Sequence, residues 1–318
     1  MTIAIIGAGM AGLSAAALLA DAGMQVVLFD KGRGPGGRMS TRRANTPLGE
    51  LRWDHGAQYF TARDDGFIDV IAALEIEGAV AKWSGPFAET VTEPRFVGAP
   101  GMNGVIRALA SNHTVDWGRR VSKITGASGA YRLVFEDGTV EGPFEAALSA
   151  VPAEQVAPLL APVAPALAQE AENVQSAPSW AVMLAFDTPI DLRSQTPAGT
   201  DSIGWISKNS SKPHRDTAET WLVHATAEWS KTHLEDERDD VLNTLVPEFL
   251  NLVGATGQTP VYAAAHRWRY AFVETPTGKG ASWDPELKLG TCGDWHLGPR
   301  VECAWLSGRR LAEKVLAA

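Results

Sequence analysis

Thr2–Ile6 (TIAII) runs without a break into Gly7–Gly12 (GAGMAG), and eighteen residues after Gly12 a second apolar stretch, Gln25–Phe29 (QVVLF), stops on Asp30. Read as strand, turn, helix and strand, this segment fits the ADP half of a dinucleotide. Gly7 permits the tight turn, Gly9 lets a pyrophosphate approach the backbone, and Gly12 lets helix pack on strand. The helix N-terminus, with Met10 and Ala11 in its first turn, faces the phosphates, and Asp30 is placed to accept from a ribose hydroxyl. The isolated glycine pattern is weak; the strands, the Ala/Leu-rich helix and the terminal acid at matching distances make it specific.

Composition bounds what surrounds this unit. The 318 residues suffice for one large domain or two intimate ones, and 45% hydrophobic with 20% charged residues is ordinary for a globular chain. A net charge of −9 argues against nucleic acid or an anionic membrane as the main partner. Cys292 and Cys303 form no secreted disulfide framework and read as small buried hydrophobes. The first strand begins almost at Met1 and the longest apolar run, near Ala15–Ala20, is too short to span a bilayer, so a soluble cytoplasmic protein is expected. Eleven tryptophans would suit a site that stacks planar rings.

Along the chain, the periodicity predicts a helix over Met10–Ala22 and a loop over Lys31–Arg38, which is too glycine-rich for regular structure. Short strands are expected at Met39–Ala44, Glu50–Trp53 and Ala57–Phe60, a helix at Asp65–Glu77, and extended chain at Thr92–Val97. Gly101–Ala110 begins a helix with Asn103 as its candidate cap. Strands follow at Thr114–Trp117, Val121–Ile124, Tyr131–Phe135 and Thr139–Glu141, with Asp137-Gly138 as a hairpin turn, then Glu145–Val151. Pro152–Glu172 reads as two short helices. Trp180–Phe186, Ser202–Ile206 and Thr220–Ala225 alternate like antiparallel strands, Glu235–Leu252 is helical, Pro260–Trp268 and Leu287–Cys292 are strands, and Arg300–Leu316 is a last helix. The nucleotide-binding part is therefore split, with a mixed sheet inserted into it.

Two further elements carry chemistry. In Gly36-Gly37-Arg38 the glycines admit an anion to the backbone and Arg38 offers a fork for pyrophosphate oxygens, with Lys31 just before them. Near the C-terminus, Cys292-Gly293-Asp294 leads through Gly298-Pro299-Arg300 into Val301-Glu302, giving a carboxylate and a second positive helix end. A nicotinamide dehydrogenase has no need of this second corner, whereas a flavin, with its ribityl chain and long ring, does.

Together these motifs resemble the FAD-binding amine oxidase superfamily. Trp53–Thr61 (WDHGAQYFT), His266–Ala271 (HRWRYA) and Gly298–Glu302 (GPRVE) narrow the resemblance to its bacterial renalase-like members, over nearly the whole chain. The resemblance implies an α/β (α+β) fold: a glutathione-reductase-type FAD-binding Rossmann domain with an inserted mixed, antiparallel-sheet substrate domain, p-hydroxybenzoate-hydroxylase-like. The FAD-binding domain is expected over 1–75, 100–155 and 285–318, and the substrate domain over 76–99 and 156–284. Noncovalent FAD is implied, held by Gly7, Gly9, Met10, Ala11, Gly12, Asp30, Lys31, Gly36, Gly37, Arg38, Asp294, Val301, Glu302 and the backbone of Val121, with Gly56, Ala57 and Gln58 wrapping the flavin. No metal is expected. Asp30 departs from the Glu common in the superfamily, and a shorter carboxylate still reaches a ribose.

The activity implied is oxidation of misreduced dihydronicotinamides, the 2- and 6-dihydro isomers of NAD(P), with O2 as electron acceptor. Hydride removal restores an aromatic ring, so no base, triad or carboxylate pair is required, only positioning. Candidates for that role are His55, oriented by Asp54, with Gln58, Tyr59, His224, Trp268, Arg269 and Tyr270. Trp268 and Tyr270 alternate with Arg267 and Arg269, so one strand face presents aromatics and the other guanidiniums. Trp180, Trp205, Trp221 and Trp283 are further lining candidates. The competing readings are an amine oxidase, a flavin monooxygenase of related fold and a non-catalytic flavoprotein. Lys208 and Lys279 have no context marking them as the lysine that many amine oxidases keep near the flavin.

Overall fold

The structure, a computed structural model, describes residues 1–85, 93–191 and 199–318. The first part of the chain runs β1 (Thr2–Ile6), α1 (Met10–Asp21), β2 (Gln25–Asp30), β3 (Thr41–Thr46), β4 (Gly49–Asp54), α2 (Asp65–Ile76), β5 (Val80–Lys82), β6 (Phe96–Gly98) and α3 (Asn103–Ala110). Then come β7 (Thr114–Trp117), β8 (Val121–Thr125), β9 (Tyr131–Phe135), β10 (Val140–Phe144), β11 (Ala146–Ser149), α4 (Ala153–Leu160) and α5 (Pro165–Glu172). The remainder is β12 (Gln175–Phe186), β13 (Ile203–Lys208), β14 (Glu219–Ala225), α6 (Ala227–Thr232), α7 (Arg238–Leu252), β15 (Tyr262–Thr275), β16 (Ser282–Asp284), β17 (Leu289–Thr291) and α8 (Val301–Leu316).

Among the described residues, β1 lies inside a six-stranded sheet ordered β16-β17-β11-β1-β2-β7, parallel except at the β16 edge. A parallel strand covered on both faces must be apolar throughout. Ile3 and Ile5 accordingly enter one core with α1 and α8, while Ala4 and Ile6 enter another with Phe29, Tyr131 and Phe135. The three antiparallel strands β8–β10 cover that second side. Helices α1 and α8 touch closely because Gly308 lacks a Cβ, which would sit 2.1 Å from the Ala11 carbonyl oxygen. Ser14 Oγ adds a buried bond to the Trp305 carbonyl at 2.7 Å.

The second large sheet is antiparallel, ordered β13-β14-β12-β15. Its period of two divides β12 cleanly. Trp180, Val182, Leu184 and Phe186 pack on α7 through Val241, Leu245 and Phe249, whereas Ala181, Met183 and Ala185 face Leu51 and Trp53 of the β3–β4 hairpin. Trp53 Nε1 donates to the Leu184 carbonyl at 3.0 Å and so ties hairpin to sheet.

The observed elements depart from the sequence reading at several points, and β5, α6 and β16 have no counterpart in it. Ala57–Phe60 makes no strand; it contributes one bridge, Phe60 to Phe96, because Gly56 lies against the Arg38 backbone instead. Of the extended segment Thr92–Val97, Thr92 lies outside the described residues and the regular strand begins at Phe96. Asn103 is the first residue of α3 rather than its cap, and its side chain turns to the Pro35 carbonyl. Finally, β15 continues past Trp268 to Thr275, because pairing with β12 resumes beyond an irregularity between Ala177 and Ser179.

Candidate functional site

The glycine turn works by exclusion of side chains. Gly7 has φ +105°, and a Cβ there would meet the Ala150 carbonyl oxygen at 2.8 Å. A Cβ on Gly12 would lie 1.9 Å from the Gly7 oxygen, so the third glycine lets α1 start against the turn. Gly9 is different: a Cβ would meet nothing within 4 Å, because the residue opens onto a cavity. Asp30 closes the turn from β2, accepting from Ala8 N at 2.8 Å and Gly32 N at 2.7 Å. Each carboxylate oxygen keeps a free lone pair, and Asp30 also lines the cavity.

That cavity has a volume of about 2270 Å³. Ligand pockets usually measure about 300–1,000 Å³, so it has room for an extended dinucleotide and a second ligand. It runs from Gly7, Gly9, Asp30 and Val121 past Gly36, Gly37 and Arg38 to Asp294 and Val301, joining the two glycine corners in one space. Met10, Ala11, Lys31, Gly56 and Ala57 also line it. The Arg38 loop and the Gly56 segment are bound together, Ala57 N donating to the Arg38 carbonyl at 2.9 Å. Arg38 forks onto Asp294, Nη1 to Oδ2 at 2.7 Å and Nη2 to Oδ1 at 2.5 Å. Burial works against the guanidinium charge there, but Asp294 outweighs it and raises the Arg38 pKa.

Glycine cradle, half-buried Asp30 at the cavity wall and the long continuous cavity fit a dinucleotide with a further ring system, and the comparisons with known proteins agree. A model of the flavin containing amine oxidoreductases matches residues 86–316, and one of an NAD(P)-binding Rossmann-like domain matches residues 5–73. The chain belongs to the flavin-containing amine oxidoreductase family. FAD is the cofactor of this family member, an oxidoreductase with a Rossmann-like dinucleotide-binding domain. Among solved structures, the chain is similar to the "putative protoporphyrinogen oxidase" of Exiguobacterium sp. 255-15, at TM-score 0.75 and 14% identity over 100% of this chain and 99% of that one. It also resembles putrescine oxidase bound to putrescine (TM-score 0.62, 14% identity, 100% of both chains) and an oxidoreductase from Methanosarcina mazei (TM-score 0.63, 15% identity, 98% and 100%). At these identities the likeness is one of fold.

Gly12, Glu302 and His55 stand apart from the family member's cavity lining. Glu302 is buried and accepts from Arg63 N at 2.5 Å and Asp64 N at 2.7 Å, with Arg300 Nη1 at 3.1 Å from its other oxygen. The carboxylate therefore fastens the start of α8 to the chain ahead of α2. Among the tryptophans, Trp180, Trp205 and Trp268 line the cavity, whereas Trp221 and Trp283 do not.

At the far end lie Gln58, Tyr59, His224, His266, Trp268 and Tyr270. His55, His266 and Trp268 cluster with ring centroids 4.5–5.0 Å apart. The His55 carbonyl accepts from Trp268 Nε1 at 2.8 Å and from His224 Nε2 at 3.1 Å, which places the His224 proton on Nε2. Burial pushes His55 down to about 3, helped by His266, Arg42 and His224. It pushes His224 and His266 to about 4, so the imidazoles are neutral at pH 7. Arg267 and Arg269 share one side of β15, as the alternation predicts, but both engage Glu235, Arg269 through two bonds of 2.6 and 2.8 Å. Arg269 thus sits at the cavity mouth with a carboxylate already on its fork.

Asp54 does not orient His55. Its buried carboxylate accepts from Arg215 at 2.6 and 3.1 Å, Lys212 Nζ at 3.3 Å, Thr41 Oγ1 at 2.8 Å and Met102 N at 2.8 Å. Burial alone would raise it, yet Lys212 and Arg215 hold it at about 2. Lys212 is lowered by burial to about 8 in spite of Asp54. Its Nζ also donates to Gln58 Oε1 at 3.0 Å, which Ser207 Oγ approaches at 3.1 Å, while Gln58 Nε2 donates to the Asp54 and Gly56 carbonyls. Gln58 is held at both ends as a fixed wall. Lys212, Arg215 and Asn209, whose side chain bonds Arg52 and Asp54, were not legible from local pattern, since their partners lie more than 150 positions away. Lys208 and Lys279 pair with Glu219 and Glu170 away from the cavity lining.

Proposed function

We propose that the chain is an FAD-dependent oxidase of misreduced dihydronicotinamides, the 2- and 6-dihydro isomers of NAD(P). The donor loses a hydride to become NAD(P)+; the two electrons, that proton and one from solvent convert O2 to hydrogen peroxide. The observation that carries the reading is the far half of the cavity, where Tyr59, Trp205, Trp268 and neutral imidazoles surround a space large enough for a second planar ligand. FAD, when bound, supplies a hydride acceptor that O2 can reoxidise. Gly7, Gly9, Asp30, Lys31, Arg38 and Val121 would hold its dinucleotide part, and Gly56, Ala57, Gln58, Asp294 and Val301 would flank the rest.

The chain's own work is then steric and electrostatic. Gln58, fixed by Lys212 and Ser207, and Trp268, fixed by the His55 carbonyl, set the width in which a ring can lie. No imidazole there carries charge at pH 7, and aromatisation of a dihydropyridine leaves no proton for a base to take. The reading also keeps the chain among renalase-like proteins with a glutathione-reductase-type, p-hydroxybenzoate-hydroxylase-like arrangement: the FAD-binding part over 1–75, 100–155 and 285–318, the substrate part over 76–99 and 156–284. The two main sheets support that division in outline, although β16 joins the first sheet and Val80, Phe96 and Val97 of β5 and β6 pack in the first core.

Amine oxidation is the second reading, favoured by the family and by the acidic run Glu235, Asp236, Glu237 and Asp239 along the cavity mouth. Anaerobic titration separates the two. Bleaching of the flavin absorbance by the 2- and 6-dihydro isomers, and not by diamines or ordinary NADH, is the expected result; bleaching by amines alone would overturn it.

A further inference from the structure

Cations line the cavity at many points, and nearly every arginine among them is neutralised. Arg38 has Asp294, Arg63 has Glu93 at 2.8 Å, Arg120 has Glu136 at 3.1 Å, Arg267 and Arg269 have Glu235, and Arg300 has Glu302. Arg95 and Arg238 differ: both line the cavity and neither has an ion-pair partner among the described residues. Arg238 is exposed to solvent at the start of α7, whereas Arg95 has its Nε and Nη1 buried without a hydrogen-bond acceptor. Its guanidinium lies over the Tyr59 ring, Cζ 4.5 Å from the centroid. Tyr59 in turn approaches Trp205 at 5.8 Å, opposite His224 in the β13–β14 pairing.

The position is built, not incidental. Phe60 and Phe96 exchange backbone bonds of 2.9 and 2.8 Å, and Trp83 N donates to the Arg95 carbonyl at 2.9 Å. In an antiparallel bridge the residues flanking a pair share the face opposite to it. Tyr59 and Arg95 therefore emerge together while Phe60 and Phe96 enter the core. The neighbouring acid, Glu93, is occupied by Arg63, whose Nε donates to Oε1 and Nη2 to Oε2, and no ion pair joins it to Arg95 among the described residues.

We propose that Arg95, seated on Tyr59, is the receptor for a phosphoryl group of the electron donor and the element that turns cationic amines away. A guanidinium left without a counter-ion inside a walled cavity has its hydrogen-bonding capacity unspent, and its fork matches phosphate oxygens. A protonated amine brought to the same place meets like charge. The inference rests on the dihydronicotinamide reading for the identity of the donor, but it assigns to Arg95 a selectivity that the reading alone does not contain.

The test uses FAD-loaded wild type, Arg95→Gln and Arg95→Lys, with two donors: 6-dihydro-NAD and 6-dihydronicotinamide riboside, which has no phosphate. Loss of a charge-assisted contact should raise the half-saturating dinucleotide concentration about tenfold or more in Arg95→Gln. The riboside value and the limiting reduction rate should not move, and Arg95→Lys should recover part of the loss. Inorganic pyrophosphate, titrated calorimetrically into the same proteins, should bind wild type and fail to bind Arg95→Gln. An equal shift for both donors would mark Arg95 as merely structural, and no shift would remove it from the site. If neither donor reduces wild type, the dihydronicotinamide reading falls, and the pyrophosphate titration alone decides Arg95: binding unchanged by Arg95→Gln overturns the proposal, binding lost sustains it.

Discussion

Arg38 and Asp294 meet as fork and carboxylate across 256 positions of sequence, with only 9% of the Asp294 side chain exposed. The pair welds the loop after β2 to the corner after β17, the two corners that share the cavity. Arg38→Ala leaves a buried carboxylate alone. Breaking a buried pair costs about 3–5 kcal/mol, and the 34% exposure of Arg38 reduces this to roughly 1–3 kcal/mol. Urea unfolding of the FAD-free protein should show that loss, and flavin should leak from the variant on dialysis. Unchanged stability and unchanged flavin content would show that the two corners hold together by other means.

The glycines of the turn should separate cofactor loss from misfolding. Gly9 faces the cavity, so Gly9→Trp fills the space meant for a pyrophosphate and leaves the fold intact. Gly12→Ala places a methyl 1.9 Å from the Gly7 oxygen and forces α1 away from β1. Circular dichroism and the flavin-to-protein absorbance ratio should give a folded, colourless Gly9→Trp and a destabilised Gly12→Ala. A yellow Gly9→Trp would mean the turn is not the cradle.

Around Asp54 the order of effects is the test. Lys212→Met leaves the carboxylate with Arg215 and should destabilise by roughly 2–4 kcal/mol. Asp54→Asn strands two buried cations and should cost more, about 3–5 kcal/mol. Denaturant midpoints at pH 7 give both values; a Lys212→Met cost near zero would show that Lys212, already drawn down to about 8, carries no charge in the folded state.

The buried imidazoles set the acid limit. His55 titrates at about 3 and His224, His266 and His296 at about 4, against 6.5 for an unfolded histidine. Below pH 6.5 the unfolded chain takes up protons that the folded chain refuses, so this stability is complete above 6.5 and is lost as pH falls toward 4. Each histidine contributes on the order of 1–3 kcal/mol to the decline, with the more exposed His266 at the lower end. Urea midpoints at pH 7 and pH 5 should differ accordingly, and His266→Asn should flatten the slope. Equal midpoints would show that the rings charge freely in the folded state.

What the sequence made legible was local. TIAII, GAGMAG and QVVLFD fixed β1, the turn, α1 and β2, because strand, glycine and helix signals there agree and the partners are near neighbours. The antiparallel alternation of β12, β13 and β14 could be read for the same reason. What escaped depends on distant chain. Asp54 sits beside His55, which invites an orienting role, yet Lys212 and Arg215 claim it from more than 150 positions away. Arg269 looked free on its strand, and Glu235 lies 34 positions earlier at the approach to α7. Arg95 did leave a trace, a cation at the edge of the apolar stretch Phe96–Val97, but nothing local showed that it lacks a counter-ion.

The contact of Gly308 with Ala11 sets an order on biogenesis. During synthesis the dinucleotide turn emerges long before the helix that braces it, which begins at Val301. A ribosome-bound chain stopped short of α8 would present Ala11, Ser14 and their neighbours to solvent. Prosthetic-group capture should therefore wait for α8, and chains stalled before Val301 should emerge apo even in excess flavin.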